Sequence, residues 1–248
     1  MKNWSVKESS RNCQIKSEIL QKKLSVFFFL LLLVTSCSSV PGPTSTDWHH
    51  IKIESDTLVF KGDMNTESLA HAKRLIESSD IDVLRISSGG GEAMPSIAFA
   101  HFIHDRNMDV IVSRACFSSC ANYILPAAAS VLVESGAVVG WHGGAESDYS
   151  HESKAWTDSE LNDWRAAERS LYEKTGTCWE LSVHTKDSMP WYLAYFYDAW
   201  MWDKESLIRL GLKDITFEGD TLATKGKDLP SVEILHFKGP CKPYSKRL

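Results

Sequence analysis

A chain of 248 residues with 43% apolar and 24% charged side chains is long enough to bury one sizeable core, or at most two small ones. Its formal charge of −5 is uneven: residues 1–36 hold six Lys/Arg and two Asp/Glu, which leaves 21 basic and 30 acidic groups after them. A body of charge −9 has no basic footprint with which to release phosphate counterions, which excludes nucleic acid as a partner, and it gains nothing from anionic lipid, so membrane attachment requires an appended lipid.

In chain order, Lys22 and Lys23 precede an apolar run, Leu24 to Val34, that ends in Val34-Thr35-Ser36-Cys37. The run is about half of the roughly twenty residues that a bilayer span needs. A basic segment, a short apolar segment and small residues before a cleavage point are the pattern of an export signal, with an uncleaved signal anchor as the alternative. The ending resembles the lipobox of bacterial lipoproteins. That resemblance implies a signal peptide over 1–36 and acylation of Cys37, palmitate included. It also implies lipid anchoring in the cell envelope facing the periplasm, with Ser38 resembling the pattern sorted to the outer membrane. Residues 37–55 then form the lipidated N-terminus and a flexible tether, since Ser38 to Thr46 has linker composition. Residues 56–248 form a single domain.

Within that domain Thr57 to Phe60 is β-prone, and Asn65-Thr66 caps a helix to about Ser78 that carries Leu69, Ala72, Leu75 and Ile76 at helical spacing. Val83 to Ile86 is a strand that runs into Ser87-Ser88-Gly89-Gly90-Gly91, a turn suited to glycine. A helix from Glu92 to His104, a strand Val110–Val112, a small-residue helix Ser119 to Ala128 and strands at Val131–Val133 and Val138–Val139 follow. Strands alternating with helices predict stacked βαβ units and a largely parallel sheet. The C-terminal part is expected to be helical. Thr157-Asp158-Ser159-Glu160 is a capping box for a helix to Lys174, stopped at Thr175-Gly176. Asp203 caps a short helix that Gly211 ends, and Leu212 to Phe217 is a final strand. The aromatic run Trp191 to Tyr197, with Trp200 and Trp202, reads as core packing, or as a wall of an apolar substrate cleft or an oligomer surface.

Of six cysteines, Cys13 leaves with the signal and Cys37 is the lipidation site. Cys116, Cys120, Cys178 and Cys241 remain, an even number in an exported domain. Four cysteines permit three pairings; Cys116–Cys120 with Cys178–Cys241 is favoured and the others stay open. Zinc at the Cys-x-x-x-Cys pair competes, but no histidine stands at finger spacing. The expectation is no metal and no cofactor.

Three features carry chemistry. The turn at 87–91 leaves backbone N–H groups before a helix, which suits an oxyanion or a phosphate; no Lys-Ser/Thr follows as in a P-loop, and the wider dinucleotide spacing is absent. Ser118-Ser119 lies between a strand and a helix, where a serine is either a cap or a projecting nucleophile. His142 ends a strand among glycines and can accept a proton, or be structural.

Together the three resemble the proteolytic subunit of Clp protease and the signal peptide peptidase A group over roughly residues 56–218. Ile86 to Gly90 matches their Asn-Ser-Pro-Gly-Gly turn, with Ile and Ser in the Asn and Pro places. Ser118 to Ile124 matches the run that holds their nucleophile, and His142 matches their base in order and spacing. The resemblance implies an α/β protein of the ClpP/crotonase-like fold and a serine-type peptidase or other hydrolase. Ser119 would be the nucleophile, His142 the base, and the N–H groups of Gly90 and Cys120 the oxyanion donors. The third member falls on Asp198 with a one-residue shift, with Asp187 and Asp203 as fallbacks. The implied partners are a peptide or protein substrate and further copies of the chain in a homo-oligomer. A catalytically silent peptide-binding member of the fold is the second reading. A crotonase-type acyl-CoA enzyme is a third, disfavoured by the export signal because CoA is cytoplasmic.

Overall fold

The computed structural model describes residues 50–147, 156–183, 199–212, 214–220, 222–226, 229 and 231–241. The sequence His50-Ile51-Lys52-Ile53-Glu54 alternates polar and apolar residues. It forms strand β1 (His50–Glu54), antiparallel to β2 (Thr57–Lys61) across the two-residue turn Ser55-Asp56. Ser55 adopts φ 55°, the backbone such tight hairpins demand. This corrects the expected tether, whose last residues are sheet: Ile51 and Ile53 pack onto the core.

The cap expected at Asn65 forms, as part of a capping box with Ser68: its side chain accepts from the Glu67 and Ser68 N–H groups and opens α1 (Thr66–Ser79). Strand β3 (Val83–Ser88), helix α2 (Ala93–Asp105) and strand β4 (Asp109–Phe117) follow. A π turn, Cys120–Ile124, runs into Leu125–Ala127; together they are α3, where an ordinary helix from Ser119 was expected. Strands β5 (Val131–Val133) and β6 (Val138–Gly140) come next. Helix α4 (Asp158–Thr175) begins with the Thr157/Glu160 capping box and ends at Gly176 in the left-handed conformation, as expected. Strand β7 (Ala199–Trp202), helix α5 (Lys204–Arg209), strand β8 (Ile215–Phe217) and strand β9 (Val232–Leu235) complete the described elements.

The main sheet has the order β1-β2-β3-β4-β5-β8, and every pair in it but β1–β2 is parallel. This is the expected α/β class with a largely parallel sheet. Strand β4 is long enough to serve two neighbours. Its first half, Val110–Val112, pairs with β5; its second half, Ala115–Phe117, pairs with β6. A register shift between Ile86 and Ser88 accompanies the change. The C-terminal part is less helical than expected, because β7 and β9 form a small parallel sheet. Trp141 and Trp200 exchange backbone hydrogen bonds of 2.7 Å that join this sheet to the end of β6. Trp200 and Trp202 are buried and meet edge to face, so for these two the core-packing reading holds; residues 191–197 lie outside the described residues.

Both disulfides favoured from the sequence are present. Cys116–Cys120 spans the end of β4, and Cys178–Cys241 ties the C-terminal segment to the turn after α4. The sulfurs are thereby unavailable as zinc ligands, including those of the Cys178–Glu180–Cys241 cluster.

Candidate active site

In a parallel sheet, adjacent strands end on the same edge, and the loops that follow them share one crevice. Strands β3, β4 and β6 are neighbours, with Ser88 opposite Cys116 and Phe117 opposite Gly140. The segments that follow carry Gly90, Ser119 and His142. Three stretches separated by up to 52 positions in the chain therefore meet at one sheet edge.

The contact between the first two is tight. A Cβ on Gly90 would stand 2.7 Å from both the Phe117 carbonyl oxygen and the Ser118 Cβ, and 2.9 Å from the Ser119 nitrogen. Gly90 has φ 95°, so glycine is required there for backbone conformation as well as for space. A Cβ on Gly91 would lie 2.2 Å from the Met64 carbonyl oxygen, which accepts from the Glu92 N–H at 2.8 Å. The glycine turn is thus wedged between β2's end and the Ser118–Ser119 turn.

Ser118 has φ 54°, uncommon for a non-glycine residue, and its N–H donates to the Gly140 carbonyl at 3.0 Å. Ser119 follows with helical angles, is buried, and does not cap the helix. Its hydroxyl donates to the Gly91 carbonyl at 2.9 Å. The Gly90 N–H donates to the Ser88 Oγ at 3.0 Å. Cys120 opens the helical segment, where first-turn N–H groups have no intrahelical acceptor.

His142 follows the buried Trp141. His142 is itself exposed, yet the surrounding protein atoms displace water from much of it, and this desolvation holds the imidazole pKa below its ordinary 6.5. Among the described residues no hydrogen bond joins His142 to Ser119 or to a carboxylate. Asp198 and Asp187 lie outside the described residues. Asp203 is engaged elsewhere, accepting from the Ser206 N–H at 2.8 Å and contacting the His236 Nδ1 at 2.6 Å.

The loop after His142 is fastened to α3 and α4. The Asn122 Nδ2 donates to the Gly143 carbonyl at 2.8 Å, and the Tyr172 hydroxyl donates to the Asn122 carbonyl at 3.1 Å. The fully buried Glu168 accepts from the Tyr123 hydroxyl at 2.9 Å and the Ala145 N–H at 3.2 Å. Sequence reasoning passed over Asn122, Tyr123 and Glu168. A signal did exist for Glu168, which shares the stripe of Leu161, Leu171 and Tyr172 on α4, where a carboxylate is out of place unless something inside needs it.

Neither a protein-family model nor a curated protein sequence matches the chain. Solved structures that resemble it include a mutant of the 1510-N membrane-bound stomatin-specific protease in complex with a substrate peptide, at 13% identity over 75% of this chain and 92% of that chain, with TM-score 0.41. ClpP1 from Listeria monocytogenes gives 13% identity over 67% and 95% of the two chains, with TM-score 0.43. An enoyl-CoA hydratase/isomerase from Marinobacter aquaeolei gives 10% identity over 69% and 71%, with TM-score 0.39. With TM-scores below 0.5, none of these likenesses bears on the chemistry of the site.

Proposed function

We propose that this chain is an envelope lipoprotein with a ClpP/crotonase-like fold that acts as a serine hydrolase, a peptidase by preference. The observation that carries the reading is the wedge of Gly90 against Ser118–Ser119, beside the loop that holds His142. A backbone forced into the left-handed region just before a serine at a strand end is the kind of local strain that accompanies a projecting nucleophile. In this reading the Ser119 hydroxyl turns from the Gly91 carbonyl toward His142 and attacks the substrate carbonyl, while the imidazole takes its proton. The proton then passes to the leaving amine, and water hydrolyses the acyl-enzyme by the same route. The Cys120 N–H and the Gly90 N–H, once the latter exchanges the Ser88 hydroxyl for substrate, hold the developing oxyanion. Asp198 is the proposed orienting carboxylate. Substrate is a peptide or protein segment, and the working form is a homo-oligomer held to the membrane by lipid on Cys37.

A fluorophosphonate probe tests this reading. The wild type should react, Ser119→Ala and His142→Ala should not, and Ser118→Ala should keep most reactivity. Unchanged labelling of Ser119→Ala would remove Ser119 as the nucleophile. A second reading is a silent peptide-binding member of the fold, favoured by two hydrogen bonds that occupy the machinery at rest: Ser119 on Gly91, and Gly90 on Ser88. In that case the wild type takes no label.

A further inference from the structure

Glu168 is a carboxylate with no exposed surface, and burying one is costly unless donors surround it. Three separate elements supply them. The Tyr123 hydroxyl, from α3, and the Ala145 N–H, from the loop after His142, both donate to its Oε2, at 2.9 and 3.2 Å. The Ser182 hydroxyl, from the single helical turn Trp179–Ser182, reaches its Oε1 at 3.5 Å. The Trp164 Nε1 donates to the Tyr123 oxygen at 2.7 Å, which directs that phenol's own proton toward Glu168. Gly144 lies flat on the cluster: a Cβ there would stand 2.5 Å from the Ser182 Oγ and 2.8 Å from the Glu168 Oε2.

We propose that Glu168 is a positioning residue of the Ser119–His142 site, clamping the loop His142–Ala145 to the helical segment that begins at Cys120 and so setting the distance between base and nucleophile. The inference rests on the reading of Ser119 and His142 given above. Glu168 hydrogen-bonds neither of them; it acts through Tyr123, four residues after Ser119, and through Ala145, three residues after His142.

The titratable groups that act on Glu168 are Tyr123 on α3 and Glu146 on the loop after His142, and Tyr172 on α4 acts in turn on Tyr123. Glu146 also contacts the Arg165 Nε at 3.6 Å. Burial pushes the Glu168 pKa up to about 7, the Glu146 charge adds to this, and the three donors oppose it. The ionised carboxylate can accept from all three. A protonated one, with its proton on Oε1, loses the Ser182 donor to the Trp179 carbonyl, which that hydroxyl already approaches at 3.3 Å, and holds Tyr123 and Ala145 only by a neutral oxygen, a weaker acceptor than the anion. The clamp is therefore complete above a pH of about 7 and loosens as pH falls through that value.

The test is the rate of fluorophosphonate labelling of the full chain as a function of pH, with Ser119→Ala as the zero. The wild type should show two acid-side steps, one near 7 from Glu168 and one lower, from His142. Glu168→Gln should lose the upper step, keep the lower, and label roughly ten- to a hundredfold more slowly at alkaline pH, since a small misplacement of reacting groups is costly. Tyr123→Phe removes one donor to the anion, so its upper step should move to higher pH; this variant decides the matter if Glu168→Gln does not fold. Profiles of wild-type shape in both variants, including a uniform slowing at every pH, would overturn the clamp. A wild type whose labelling survives Ser119→Ala would instead overturn the nucleophile reading, and the clamp with it.

Discussion

A serine at φ 54° gives up roughly 1–2 kcal/mol relative to ordinary helical or extended backbone, and Ser118 does so beside a glycine that cannot be replaced. Gly90→Ala places a Cβ 2.7 Å from the Phe117 oxygen at a φ of 95°. It should lower stability by about 1–3 kcal/mol and cut labelling by about a hundredfold or more through the displaced oxyanion donor. Gly89→Ala is the control, because its Cβ would meet nothing within 4 Å; its unfolding midpoint and labelling rate should match the wild type. Glu168 supplies a second test at this scale. Its folded pKa of about 7 lies above the unfolded value of 4.5, so the native state binds more protons between the two. Stability should therefore rise as pH falls from 7 toward 4.5, by at most about 3 kcal/mol. Glu168→Gln should lack this component, which the difference between the two denaturation curves at each pH measures. The buried charge thus costs stability above neutrality, where the clamp it forms is complete.

At the scale of elements, each disulfide has a different office. Cys116–Cys120 closes a very short loop around Phe117-Ser118-Ser119, whereas Cys178–Cys241 closes a separation of 63 residues. On the chain-entropy model the short loop contributes about 2 kcal/mol and the long one about 4 kcal/mol. Replacing Cys116 and Cys120 by serine should therefore cost less stability but most of the labelling. Replacing Cys178 and Cys241 should lower the melting temperature further and spare the labelling rate of the folded fraction. Equal effects of the two double variants on labelling would contradict this. The sequence made local features of these elements plain: the Asn65 cap, the Thr157 box, the Gly176 stop, the glycine turn at 89–91 and the alternation of strands with helices all lie within a few residues. Strand β1 was also legible, because Ile51 and Ile53 alternate with His50, Lys52 and Glu54, but the linker composition just before it drew the tether too far. Strand β9 and the partners of Glu168 were not legible. The first depends on pairing with β7, and the second on side chains of three elements that only the fold brings together.

For the whole molecule, the proposed export and anchoring rest on Lys22–Lys23, the short apolar run and Cys37, which precede the described residues; among those described, no helix is long and apolar enough to cross a membrane. Cys37→Ser should abolish incorporation of a radioactive fatty acid and leave a larger precursor, and equal labelling of the two proteins would remove the lipid anchor. The central claim concerns the sheet edge at the ends of β3, β4 and β6, where residues far apart in the chain are brought together. Its most direct test is peptide mass spectrometry of the folded wild-type protein after reaction with a fluorophosphonate. The account predicts one phosphonylated residue, Ser119, with Ser118 and Ser88 unmodified. A label on any other serine, or no label on protein whose two disulfides are intact, would contradict it.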